Sequence, residues 1–154
     1  MKQLIETVLR DKGSDEVISV AASATVADAV TVMAERDVGA VVVISEDDLV
    51  AGIFTERDVL VRVMHPGRDP RTTPVSVVMT RDVRFVPPGT TIEAALAFMY
   101  VLRCRHLLVI DGPHMRGLVS MRDLVNQLIR HGEGRFEAAV RDAVGETTTS
   151  AADR

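Results

Sequence analysis

Gly52-Ile53-Phe54-Thr55-Glu56-Arg57-Asp58-Val59 returns later in the chain as Gly117-Leu118-Val119-Ser120-Met121-Arg122-Asp123-Leu124. Glycine, two apolar residues, a hydroxyl, a spacer, arginine, aspartate and an aliphatic residue stand in the same order both times. A hydroxyl, a guanidinium and a carboxylate within four residues of a strand-to-helix turn can hold a phosphorylated ribose. The helix N-terminus offers free N–H groups and the positive end of a dipole to phosphate. An ionised aspartate accepts both hydroxyls of a ribose diol with the strength of a charged acceptor. Glycine lets the backbone approach a ligand closely, and arginine adds a planar fork for phosphate. The second copy turns a weak motif into a statement about architecture.

Working outward, the two halves align at a near-constant offset. Val20 matches Val86 and Thr25 matches Thr91. Val26, Ala29, Val30 and Met33 match Ile92, Ala95, Leu96 and Met99, an i, i+3, i+4, i+7 stripe that predicts an amphipathic helix in each half. A threonine opens each helix as N-cap. Val41-Val42-Val43-Ile44 and Leu107-Leu108-Val109-Ile110 are short, bounded apolar runs that predict buried strands. Turns follow at Ser45-Glu46-Asp47-Asp48 and Asp111-Gly112-Pro113-His114, the second one residue shorter. A further strand then starts near Leu49 or Met115, and a closing helix begins at Thr55 or Ser120.

Each half thus reads as β-α-β-β-α, an α+β protein built from two repeats. Units of about 50 residues rarely fold well alone, so the copies are expected to pack across their apolar sheet faces and share a core. The organisation predicted is a leading helix plus repeat 1 over 1–64, a linker over 65–77, repeat 2 over 78–130 and an extension over 131–154. The linker carries three prolines and a glycine between His65 and Pro74, and the stretch from Val75 to Met79 re-enters the fold. Residues 136–144 read as a short helix and 145–154 as a disordered tail.

Composition narrows the function classes. The chain has 154 residues, 47% of them hydrophobic and 3% aromatic, so its core is aliphatic. A net charge of −4 without like-charge blocks argues against a nucleic-acid-binding face. Arg outnumbers Lys sixteen to two. The one cysteine, Cys104, cannot form an internal disulfide and fits a reducing compartment. The N-terminus lacks a signal-peptide h-region and no stretch approaches a membrane span, so a cytoplasmic protein is expected. His65, His114 and His131 lack metal-ligand spacing. No P-loop, dinucleotide fingerprint or nucleophile–base pair is visible, so no catalysis is expected.

The two glycine-to-aspartate motifs resemble those of the tandem cystathionine-β-synthase (CBS) domain pair, a regulatory module. Val78-Met79-Thr80-Arg81-Asp82-Val83, Val86-Pro87 and Arg105-His106 support the resemblance, which covers roughly residues 8–129. It implies two clefts that bind adenosine-containing ligands such as AMP, ADP, ATP, S-adenosylmethionine or NAD, with the signal passed to another protein, as in energy sensing. It also implies a homodimer. Asp58 and Asp123 would accept from ribose hydroxyls, and Thr55 and Ser120 would contact phosphate or ribose. Ile18, Val20, Val86 and Pro87 would line slots for the base. Arg105 and His106 would face phosphate, and Arg57 and Arg122 would reach phosphate or face solvent.

The halves also depart from one another. Val20-Ala21 stands opposite Val86-Pro87, and Gly39-Ala40 opposite Arg105-His106. Leu108 stands where family members often carry a proline. The clefts are therefore expected to be inequivalent. If His106 crosses to the other half's cleft, the Thr55/Asp58 site gains the basic group and becomes the better phosphate site. Thr-x-x-Asp and Ser-x-x-Asp are also ordinary helix caps, and capping and binding can coexist. The competing reading is a structural or dimerising scaffold with empty clefts.

Overall fold

The computed structural model describes residues 3–13 and 17–131; the predicted helix at 136–144 and the tail lie outside them. The chain runs α1 (Ile5–Asp11), β1 (Ser19–Ala21), α2 (Val26–Glu35), β2 (Ala40–Ile44), β3 (Val50–Thr55), α3 (Glu56–Asp58), a π-helical turn (Val59–Met64) and α4 (Val75–Val78). It continues through β4 (Phe85–Val86), α5 (Ile92–Leu102), β5 (His106–Asp111), β6 (His114–Ser120) and α6 (Met121–His131). The α+β repeat architecture is the one the sequence predicts. Among the described residues, no helix is long and apolar enough to cross a membrane.

Each half holds a three-stranded sheet, in the orders β1-β2-β3 and β4-β5-β6. The outer pair is parallel, joined through a helix, and the second pair is an antiparallel hairpin. Both hairpins carry a register shift at the same repeat position, between Val43 and Ile44 and between Val109 and Ile110. Thr25 and Thr91 cap their helices by accepting from Asp28 N and Ala94 N. Val26, Ala29 and Met33, and Ile92, Ala95 and Met99, are buried; Val30 sits at the exposed edge of its stripe.

The closing element of the first half is not a plain α-helix. After one α-turn the ladder widens, with His65 N donating to Leu60 O at 3.0 Å. Such a π-bulge redirects the side chains that follow it.

The halves do not share one core. Val20, Met33, Phe54 and Val63 belong to one buried cluster, and Val86, Met99, Leu107 and Leu124 to another. What closes each cluster departs from chain order. Ile5 and Val8 of α1 are buried in the second cluster, whereas Val75, Val78 and Met79 are buried in the first. The backbone pairing repeats just as closely. Ile92 N donates to Gln3 O and Ile5 N to Thr90 O, as Val26 N donates to Thr73 O and Val75 N to Ala24 O. Residues 3–9 thus seal the second half, and 73–79 seal the first.

Each motif glycine makes room for its seal. A Cβ on Gly52 would lie 2.5 Å from the Thr80 carbonyl oxygen, and one on Gly117 would lie 2.6 Å from Leu9 Cδ2. Val42 and Leu108 are buried yet belong to neither cluster. Side chains alternate along a strand, so these two occupy the sheet faces turned away from the helices. Ala40, His106, Leu118 and Ser120 share those faces by register, and the cleft described next lies along them.

Candidate functional site

The two motif turns share a backbone and differ in what reaches their acid. At the first, Thr55 N and Thr55 Oγ1 both donate to Asp58 Oδ2, at 2.9 and 3.0 Å. Thr80 Oγ1 donates to Asp58 Oδ1 at 3.0 Å, and Arg62 Nε lies 3.4 Å from the same oxygen. Arg62 Nη1 also donates to Met79 O at 2.6 Å, which fixes the guanidinium over the seal. Both carboxylate oxygens are therefore engaged, and Asp58 is 5% exposed.

At the second turn, Ser120 N donates to Asp123 Oδ2 at 2.8 Å, and Asp123 N donates to Ser120 Oγ at 3.1 Å. Lys12 Nζ donates to the same Oδ2 at 2.9 Å and to Leu118 O at 3.2 Å. Oδ1 meets no donor among the described residues. Burial pushes the Asp123 carboxyl up; the Lys12 ammonium and the Ser120 hydrogen bonds outweigh it and hold the carboxyl below its ordinary 3.8. A depressed carboxyl stabilises the fold above its unfolded value, and that contribution is lost as pH falls through the folded one.

Asp123 opens onto a cleft of about 540 Å³ lined by both halves. Val17, Ile18, Val38 and the small pair Gly39-Ala40 supply its first-half wall, and Leu118 and Met121 supply apolar surface opposite. Lys12, Arg36, Arg105 and Arg122 contribute positive charge, against Asp37, Glu56 and Asp123. His106 lines it too. Burial, then the neighbouring Arg105 charge, holds the imidazole below its ordinary value against the pull of Asp123 and Glu56. It therefore sits uncharged at neutral pH and offers a hydrogen bond rather than a cation.

The structure gathers six of the expected ligand residues in this cleft: Ile18, Arg105, His106, Ser120, Arg122 and Asp123. Thr55, Arg57, Asp58, Val20, Val86 and Pro87 do not line it. Val20 and Val86 are spent in the two cores, and Arg57 and Pro87 are exposed. Register pairs His106 directly with Ser120 of its own half, and the cleft it lines is lined also by Gly39, Ala40 and Glu56 of the other half, though not by Thr55 or Asp58.

Lys12, Arg36 and Asp37 line the cleft without standing among the residues expected from the sequence. The opposition of Gly39-Ala40 to Arg105-His106 was the available signal for a one-sided cleft. A Cβ on Gly39 would already lie 3.2 Å from Glu56 Oε2. Cys104 packs against the second core, with burial raising its thiol. Among the described residues no group of three or more His, Cys, Asp and Glu could hold a metal ion.

The family model for the CBS domain matches residues 9–65 and 75–130. The chain belongs to the CBS-domain family. Its CBS pair is 38% identical over 109 residues to the mitochondrial CBS domain-containing protein CBSX3 of Arabidopsis thaliana, covering 68% of this chain and 53% of that protein. It is 32% identical over 127 residues to the CBS domain-containing protein YhcV of Bacillus subtilis, covering 82% of this chain and 89% of YhcV. A protein with CBS domains from Burkholderia ambifaria superimposes with a TM-score of 0.80 at 34% identity, over 84% of this chain and 96% of that one. The CBS pair spans only about half of the plant relative, so that protein's remaining length has no counterpart in the matched region.

Proposed function

We propose that this CBS pair is a regulatory module that binds one adenosine-containing ligand per chain at the Ser120/Asp123 cleft. The candidates are AMP, ADP, ATP, S-adenosylmethionine and NAD. One observation carries the reading: Asp123, whose Oδ1 meets no donor among the described residues, lines a cleft edged by Lys12, Arg36, Arg105 and Arg122, while both oxygens of Asp58 are engaged. The diol would take Asp123, the base would lie against Ile18 and Val38, and phosphates would meet the arginines. The ligand state would pass to a separate effector protein through differential affinity for two conformations. Exposed Leu60, Val61 and Met64, and Phe98, Tyr100 and Val101, support a homodimer as the assembly that presents the signal.

Isothermal titration calorimetry with the five ligands tests this reading. The expected result is saturable binding of at least one, at a stoichiometry of one per chain. Thermal stabilisation should follow mass action, about 2.7 kcal/mol at a hundredfold excess over Kd. Saturation at two per chain would restore the Thr55/Asp58 turn as a site. No binding by any ligand, with the oligomer intact in sedimentation, would leave the scaffold reading standing.

A further inference from the structure

We propose that Lys12 makes the cleft select phosphorylated ligands over unphosphorylated ones, by exchanging its partner from Asp123 to the ligand's phosphate. The inference rests on the proposed ligand site and goes beyond it, to how that site discriminates.

The comparison between halves carries the argument. In each half a residue a little beyond the seal reaches the motif acid, directly after it in the first half and three positions past it in the second. In the first half it is Thr80, a neutral hydroxyl on a backbone paired both ways with Ile53, at 2.8 and 2.9 Å. In the second it is Lys12, an ammonium at the end of α1. Thr80 is short, neutral and held on a paired backbone, so it has no charge to carry from Asp58 to another partner. Lys12 can leave Asp123 by rotating a four-carbon stem, and it is already partly exposed.

A ribose diol that spans both oxygens of Asp123 puts one hydroxyl on Oδ1 and brings the other into competition with that ammonium for Oδ2. An uncharged ligand removes the carboxylate from Lys12 and gives the cation nothing in return. A phosphorylated ligand supplies a replacement anion in the same cleft, which Lys12 also lines. The same side chain therefore penalises one class and rewards the other, and specificity is that difference. Lysine suits exchange better than arginine. A guanidinium would lock onto the carboxylate through a planar fork, whereas an ammonium is a point charge with rotatable donors. A lysine here is notable in a chain with sixteen arginines and only one other lysine, Lys2.

The test is titration of AMP, ATP and adenosine into wild type, Lys12→Met and Lys12→Arg, each checked for folding by circular dichroism. Wild type should prefer AMP or ATP to adenosine by tenfold or more. Lys12→Met should bind the phosphorylated ligands about tenfold more weakly and adenosine no more weakly, so the preference collapses. Lys12→Arg keeps the charge and the fold but should weaken every ligand by holding Asp123. Equal losses for AMP and adenosine in Lys12→Met would overturn the exchange while leaving the site intact. So would a wild type that binds adenosine as tightly as AMP. A wild type that binds nothing would remove both proposals.

Discussion

Asp123→Ala is expected to weaken ligand binding a hundredfold or more, while Asp58→Ala leaves affinity within about twofold. The first figure follows from two charge-assisted hydrogen bonds to a ribose diol, roughly 3 kcal/mol together. The second follows from geometry, since Asp58 is saturated by Thr55, Thr80 and Arg62 and does not line the cleft. Asp58→Ala should instead cost stability, about 2 to 3 kcal/mol, because it leaves the Thr55 N–H, the Thr80 hydroxyl and Arg62 without their acceptor. Calorimetry and urea unfolding on the two variants separate the effects. The outcome against this assignment is a binding loss in Asp58→Ala that matches the loss in Asp123→Ala. Asp123→Asn serves as the shape-conserving control, and it should bind nearly as poorly as the alanine variant.

The second large effect concerns the motif glycines, which look equivalent in the sequence and are not. Gly52→Ala should destabilise the protein by about 3 kcal/mol, and Gly117→Ala by about 1 kcal/mol. A new methyl at position 52 meets the Thr80 carbonyl oxygen at 2.5 Å and Met79 Sδ at 2.9 Å. The oxygen belongs to a backbone bonded both ways to Ile53, and Thr80 also donates to Asp58. Relief requires moving that backbone and giving up these bonds. At position 117 the methyl meets Leu9 Cδ2 at 2.6 Å, the far end of a flexible side chain that can turn aside. Equal midpoints for the two variants in urea would show that backbone and side-chain obstacles yield alike, contrary to this account.

The fold was largely legible because its signals are local and doubled. Apolar stripes, threonine caps and bounded β-branched runs each specify an element, and each appears twice at the same spacing. The one-residue difference between the turns marked where the offset changes, and the hairpins follow it. The exchange of seals was not legible. Ile5 and Val8 carry a helical apolar pattern that says a face is buried, but not against which half. The π-helical turn was equally silent, since Val59 to Met64 fits either ladder by composition.

The candidate site divides the same way. Ser120, Asp123, Arg105 and His106 were visible as motif residues, and their gathering follows from register. The loss of Asp58 to its own neighbours depends on Thr80 and Arg62, which approach only in the folded chain. Lys12 lay hidden for the same reason, 111 positions from its partner.

The exchange of residues 3–9 for 73–79 sets an order of assembly. The first half can close once the chain has emerged through about residue 79, using segments that are near neighbours along it. The second must wait for its last strand and helix, then recapture residues 3–9 from well before them in the chain. Its loop closure is longer, and such pairings form late. Pulse-labelled hydrogen exchange should find Val41 to Val43 protected before Leu107 to Val109; the reverse order would refute this. Residues 3–9 are thus the last part to be fitted, and a fault in them would be felt in the second half.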